Sequence, residues 1–549
     1  MSPIPDTASA STLPTQYDVV VVGAGFAGLY MLYRLVYLGM NVKVFEAGTG
    51  VGGTWFWNRY PGARCDVESL EYSYSFSDEL QQEWKWTEKY ATQPEILRYI
   101  NHVAERFDLK QRVQFETRVV AAEFDNNANL WTVKTDKGEI VSARYCIMAT
   151  GCLSTASLPK VPGLDSFEGK TYHTGLWPSE SVDFSGLRVG VVGTGSSGIQ
   201  LIPEVAKQAT HLYVFQRTAN YSLPARNAPL DTAYESAMKN RYAQLRKAAR
   251  ESPTGVAGFT IPDKSIFDVS PQERSEAFEQ RWEAGGIGFT RAFKDVLTDK
   301  EANAIAADFV RSKIREIVRS PEVADLLTPT YLIGTKRLCA DTGYFETYNR
   351  DNVTLVDIKR APIMQITRSG LRTEDAHYEL DALVFATGFD AMTGALLRID
   401  IRTKDGVSLR DLWDHGPRTY MGLMTAGIPN LFMITGPGSP SVLSNVITSI
   451  EQHVDWIAGC LADLARRGVT RIEAEPKSQD EWVAHVNEVA DKTLLPQGAS
   501  WYIGANIPGK PRVFMPYIGG VGVYRKKCDE VTQSGYRGFV LSSAAPAAA

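Results

Sequence analysis

Val19 to Val22 form an unbroken apolar run closed by Gly23, too short for a helix and best satisfied as a buried strand. Beyond Gly25 and Gly28 the apolar positions take up helical spacing to about Leu38. "VKVF" then returns as a second strand that ends at Glu46. The same order of patterns recurs downstream. "LRVGVV" predicts a strand, Gly193, Gly195 and Gly198 follow it, "IQLIPEVAKQ" reads as a helix, and "HLYVF" leads to Gln216 and Arg217. Strand, glycine turn, helix and strand in that order predict a βαβ unit with parallel strands, here twice. The expected fold class is α/β, with two Rossmann-like dinucleotide-binding domains and a helical insertion.

In each turn the first glycine allows the bend, the second lets a pyrophosphate approach the backbone, and the third lets helix and strand pack closely. Ser196 and Ser197 sit at the start of the second helix, where free N–H groups and the helix dipole favour an anion. The two copies differ after their second strands. The first ends in Glu46, an acceptor for ribose hydroxyls, whereas the second ends in Gln216 and Arg217, which suit a 2′-phosphate. Two sites of different character predict FAD in the first and NADPH in the second.

Two further apolar strands, "RYCIM" and "DALVF", each run into Ala-Thr-Gly, at 149–151 and 386–388. They mark the passages between the two domains. The expected organisation is an FAD domain over 17–150 and 388–541, with an NADPH domain over 151–225 and 327–387 inserted in it. Residues 226–326 are charged, alanine-rich and helical, and read as an insertion within the NADPH domain. In "SIEQHVDWIAGCLADLARRG" the residues Ile450, Val454, Ile457, Leu461 and Leu464 share one helical face. His453 lies beside that face and reads as a packed histidine rather than a ligand.

Composition narrows the class. Apolar residues make up 44% and charged residues 22% of the 549-residue chain, an ordinary globular balance over several domains. The formal charge of −5 gives no reason to expect nucleic acid or an anionic membrane surface, and no apolar run is long enough for a membrane span. The six cysteines form no CxxC pair and no metal-ligand spacing, which suits free thiols in a reducing cytoplasm and no metal. Residues 1–16 lack the basic start and apolar centre of a signal peptide, and they and 542–549 are expected as disordered tails. The expectation is a soluble cytoplasmic protein, a monomer or weak homo-oligomer.

Ahead of the second glycine turn stands "FEGKTYHTGLWP", with Phe167, Gly169, His173 and Trp177 spaced as F-x-G-x-x-x-H-x-x-x-W before a proline. This pattern, together with "GGTWFWNRYPGARCDVES", "KRLCADTGYFETYNRDNV", "ITGPGSPSVLSN" and "WYIGANIPGK", resembles the type I Baeyer–Villiger monooxygenases. The likeness runs from about Tyr17 to Leu541 and is closest to the phenylacetone, steroid and cyclohexanone monooxygenase group. Phe56 departs from it, since tyrosine is more usual there.

The resemblance implies an NADPH-dependent flavin monooxygenase that inserts one oxygen atom of O2 into a ketone, by way of a C4a-peroxyflavin, to give an ester or lactone. It implies that Arg337 is the catalytic cation and Asp66 the carboxylate that orients it. Lys336 and Thr218 would assist Arg217 at the 2′-phosphate, and Trp55 and Trp501 would wall the nicotinamide and substrate. Cys152, Leu153, Leu443 and Met515 would line the ketone pocket. No proton transfer falls to His173, so the stretch reads as a hinge or latch, with Gly169 supplying backbone freedom and Phe167 and Trp177 the anchors. Three alternatives stand beside this reading: a flavin monooxygenase acting on sulfide or amine heteroatoms, an uncoupled NADPH oxidase, and an inactive dinucleotide-binding redox sensor.

Overall fold

The computed structural model describes residues 15–258, 260 and 262–543. Most of the two expected tails lies outside these residues. Thr15 and Gln16 are strand, paired with Val141 and Ser142, and Ser542 ends the last strand, so the expectation of a tail is corrected at these three positions.

Thr15–Val22 is the central strand of the first sheet because its four valines are buried and can satisfy their backbone only by pairing. It pairs in parallel with Val42–Phe45 on one side and Ile140–Met148 on the other. The antiparallel strands Leu130–Thr135 and Val119–Asp125 extend the sheet, and Asp400–Thr403 closes that edge. Leu431–Met433 pairs with the far end of Ile140–Met148. Residues from both ends of the chain thus share one sheet.

The second sheet is parallel throughout, in the order Val353–Asp357, His211–Gln216, Arg188–Val192, Ala382–Phe385 and Lys170–His173. Its last strand lies inside the "FEGKTYHTGLWP" stretch, so that stretch is not a free linker.

The two segments that leave and re-enter the first sheet run side by side. Ser157 N donates to Gly388 O at 2.9 Å, Asp390 N to Thr155 O at 2.8 Å and Met392 N to Cys152 O at 2.8 Å. This antiparallel pair is the crossing between the sheets.

The helical region 226–326 does not belong to one core. Tyr242 and the flanking Met238 and Leu245 pack on the first core, where the Arg246 guanidinium donates to Leu70 O, Glu71 O and Ser73 Oγ. The helices Pro271–Ala284 and Lys300–Ile317 bury Phe278, Trp282, Val310 and Ile314 against the second core. The expectation of an insertion confined to the nucleotide domain is therefore corrected. Helical spacing shows which face is apolar, not which core it meets.

Candidate active site

The two glycine turns have one geometry. Gly23 and Gly193 have φ of +105° and +110°, and a Cβ on either would stand 2.6 Å from a carbonyl, that of Ala149 or of Ala386. Both carbonyls belong to the Ala-Thr-Gly crossings, so each turn is seated on the segment that joins the sheets. The following helices, Phe26–Tyr37 and Ser196–Ala206, start after Gly25 and Gly195 with no side-chain cap, which leaves their first N–H groups for an anion. A Cβ on Gly195 would meet nothing within 4 Å, so its space is open toward a ligand rather than filled by protein. Gly28 and Gly198 are packed under the first glycine of their own turns.

At the end of Val42–Phe45 the buried Glu46 accepts from Ala24 N at 2.8 Å and Gly48 N at 2.7 Å. Burial raises its pKa, and these bonds offset only part of the rise. At the matching end of His211–Gln216, Arg217 and Thr218 are exposed, and Thr194 Oγ1 donates to Thr218 O at 3.0 Å. Lys336 lies over the Tyr331 ring at 4.6 Å, and its pKa is pushed down by burial and by the nearby Arg217. Two cations this near to each other are the donor set an anionic phosphate requires. These residues fit FAD and NADPH as the occupants of the two turns.

The first domain's Tyr60–Asp66 loop meets the second domain's helix. Gln200 donates to Arg64 O at 3.0 Å and accepts from the Tyr60 hydroxyl at 2.9 Å. At this junction Arg337 meets Asp66, with Nη2 at 2.7 Å and Nε at 3.1 Å from Oδ2, while Nη1 donates to Val442 O at 3.1 Å. Burial disfavours the guanidinium charge, but Asp66 outweighs it and the net shift of the Arg337 pKa is upward. The cation is permanent. The Tyr502 hydroxyl adjoins it, and burial raises the pKa of that phenol.

An apolar group is joined to the charged pair through Val442. Cys152, Leu153, Met515, Val442 and Trp501 pack together with Ala391 and Met392, and Leu443 joins Val442 and Trp501 in the adjoining group. Trp55 is buried in the first core and donates to the Tyr72 hydroxyl at 3.1 Å, and that tyrosine feels the charges of Asp66 and Arg337. Phe56 packs on Gly48 and Gly50 with Arg59 stacked on its ring at 4.2 Å, contacts that need no hydroxyl.

In the opening pattern, Phe167 packs on one face of the second sheet and Trp177 on the other, stacked on Tyr172 at 5.2 Å. Gly169 is required for space rather than freedom, because a Cβ there would stand 2.5 Å from Asp381 O. His173 is buried, accepts from Gly175 N at 3.0 Å through Nδ1, and lies 3.3 Å from Thr387 Oγ1 through Nε2. Thr387 in turn donates to Ser157 O at 2.6 Å. The histidine thus ties the edge strand to both crossing segments. Burial lowers its pKa and keeps it neutral.

Tyr60 lies in the aromatic stretch "GGTWFWNRYPGARCDVES", whereas Tyr502, Gln200 and the Val442 carbonyl are site residues that the motifs do not single out. Of these, only Tyr502 and Val442 carried any signal, as neighbours of Trp501 and Leu443.

The protein-family comparison matches residues 20–252 to the model described as pyridine nucleotide-disulphide oxidoreductase. A Baeyer-Villiger monooxygenase of Pseudooceanicola batsensis is 43% identical over 97% of this chain and 98% of its own. Among solved structures, an oxidized steroid monooxygenase bound to NADP superposes with a TM-score of 0.92 at 53% identity, covering 96% of this chain and all of its own. A complex of OTEMO with FAD and NADP does so with a TM-score of 0.93 at 41% identity and the same coverage. All six cysteines are free, and none stands in a CxxC pair.

Proposed function

We infer that this chain, which belongs to the Baeyer–Villiger monooxygenases, uses FAD and NADPH to insert one oxygen atom of O2 into a ketone, giving an ester or lactone. The observation that supports the site is the Arg337–Asp66 pair, set where the 60–66 loop of the first domain meets the helix that follows the second glycine turn, with Val442 joining it to an apolar group that suits a ketone. When bound, FAD and NADPH supply the reducing equivalents and the activation of O2.

The chain's own residues do the rest. Arg337, which cannot lose its proton, holds the negative charge that develops at the reacting oxygen. Asp66 fixes the plane of the guanidinium through two bonds to one oxygen, and Val442 O fixes its other end. Cys152, Leu153, Leu443 and Met515 exclude water from the ketone. Gly23, Gly25, Gly28 and Glu46 hold the flavin nucleotide, and Gly193, Gly195, Ser196, Ser197, Gly198, Arg217, Thr218 and Lys336 hold NADPH.

No described helix is long and apolar enough to cross a membrane. A monomer or weak homo-oligomer in a reducing cytoplasm is the accompanying proposal, supported by the six free thiols.

The purified protein is expected to be yellow, to consume NADPH faster when ketone is added, and to yield the ester by mass spectrometry. NADPH oxidation that ignores ketone and ends in hydrogen peroxide would overturn the assignment.

His173 serves as a latch in this reading. His173→Ala strands the Gly175 N–H and frees Thr387, at a cost of about 1–3 kcal/mol in stability. It is also expected to lower ester formed per NADPH consumed, read by thermal unfolding and product yield. Unchanged values of both would remove the latch.

A further inference from the structure

His453 takes no part in the chemistry described so far, yet it is wholly enclosed on the helix Val446–Arg466. Its Nδ1 accepts the Thr435 backbone N–H at 2.9 Å, and its Nε2 lies 2.8 Å from the Tyr524 hydroxyl. Tyr524 donates its own proton to the Met421 carbonyl. These bonds fix the tautomer. The tyrosine proton is spent on Met421, so Nε2 carries the imidazole hydrogen and Nδ1 is the bare acceptor. Burial pushes the His453 pKa down to about 3, and the acceptor persists at any working pH.

Thr435 is the root of a loop. Ile434 N, just before it, donates to Met148 O at the end of the first sheet, and Thr435 itself has a φ of +56°. A β-branched residue keeps such a conformation only where its surroundings impose it. From this root the loop runs through Ser441, also left-handed at φ +40°, to Val442, whose carbonyl meets Arg337. Cys152 bridges the two points, with Sγ 3.3 Å from Thr435 O and 3.0 Å from Ser441 Oγ. The loop ends at Asn445, which caps the helix that carries His453 by accepting from Ile447 N at 3.2 Å. The histidine therefore closes the loop from its far end back to its root.

We propose that His453 is a positioning residue for oxygen insertion: its Nδ1 pins Thr435, so that loop 435–445 presents the Val442 carbonyl to Arg337 and sets Cys152 in the ketone pocket. This rests on the monooxygenase reading, which the wild-type assay tests first. Absence of ester from wild type would count against that reading, and the comparison below applies to an ester-forming enzyme.

Two isosteric changes separate pinning from core filling. In His453→Asn the amide oxygen stands near the place of Nδ1 and keeps the Thr435 bond, while the Tyr524 contact is lost. In His453→Gln the amide reaches toward Tyr524 and the acceptor at Thr435 is lost. Both leave a void and lower the melting temperature.

His453→Gln is expected to lower the ester formed per NADPH about tenfold, the balance appearing as hydrogen peroxide, with flavin reduction by NADPH within about twofold of wild type. His453→Asn is expected to stay within about threefold of the wild-type ester yield. Equal yields from the two variants, whether high or low, would overturn the proposal. A readout on the unaltered holoenzyme does not depend on either variant folding. The Thr435 amide should exchange with solvent as slowly as the sheet amide of Ile147, and exchange as fast as an exposed loop would equally overturn it.

Discussion

Arg337→Ala is expected to lower the rate of ester formation on the order of 10²–10³-fold while the protein keeps its flavin. The guanidinium is held from several sides, by two bonds to Asp66, one to Val442 O and the Tyr502 hydroxyl beside it. A rigid cation in a water-poor site stabilises charge that appears only during reaction, and its removal should depress the rate more than the ketone KM. Arg337→Lys should fall nearly as far, because an ammonium cannot span Asp66 and Val442 O together. Asp66→Ala leaves the cation in place but free to turn, and a smaller loss is expected. The pair is about a quarter exposed, at 24% and 28%, so the stability cost of breaking it is well below that of a fully buried ion pair. The check is initial rate with ketone, product by mass spectrometry, and flavin content from the visible spectrum. An Arg337→Ala enzyme with the wild-type ester rate would remove the role.

The glycine turns were legible in the sequence because each physical requirement falls on one residue type at one spacing. Gly23 and Gly193 need positive φ and no Cβ against a carbonyl, and both needs print as glycine. The strand Lys170–His173 was not legible. It is a short edge strand reading Lys-Thr-Tyr-His, and a polar edge shows no alternation. Helix existence was clear over 226–326, but the partner core was not, because amphipathicity records burial without naming what covers it. The place of His453 beside the apolar stripe predicts a packed histidine, and it is buried. Its bond to a backbone N–H across the fold leaves no trace in spacing, since a histidine beside an apolar stripe looks the same with or without a partner. The same holds for Tyr502, whose contact with Arg337 joins residues far apart in the chain.

Arg217→Ala is expected to raise the KM for NADPH about 10–100-fold and to leave that for NADH nearly unchanged. The range corresponds to losing a charge-assisted contact worth about 1.5–3 kcal/mol. Arg217 is exposed just past the strand His211–Gln216, where the first domain instead ends in a carboxylate tied to two backbone N–H groups. It stands close enough to Lys336 for its charge to depress the lysine pKa, a repulsion that a 2′-phosphate would reverse into attraction. Lys336 is the more sheltered of the two, seated on the Tyr331 ring, so Lys336→Ala should act in the same direction as Arg217→Ala. The double variant should lose more than the sum of the two, because each single change also relieves the remaining cation of its neighbour and so softens that single loss. Since Arg217 faces solvent, the NADPH preference should narrow as salt is raised. Steady-state kinetics with both cofactors at low and high ionic strength decide the matter. If Arg217→Ala raised both KM values equally, the arginine would be shaping the site as a whole and the 2′-phosphate contact would have to lie elsewhere.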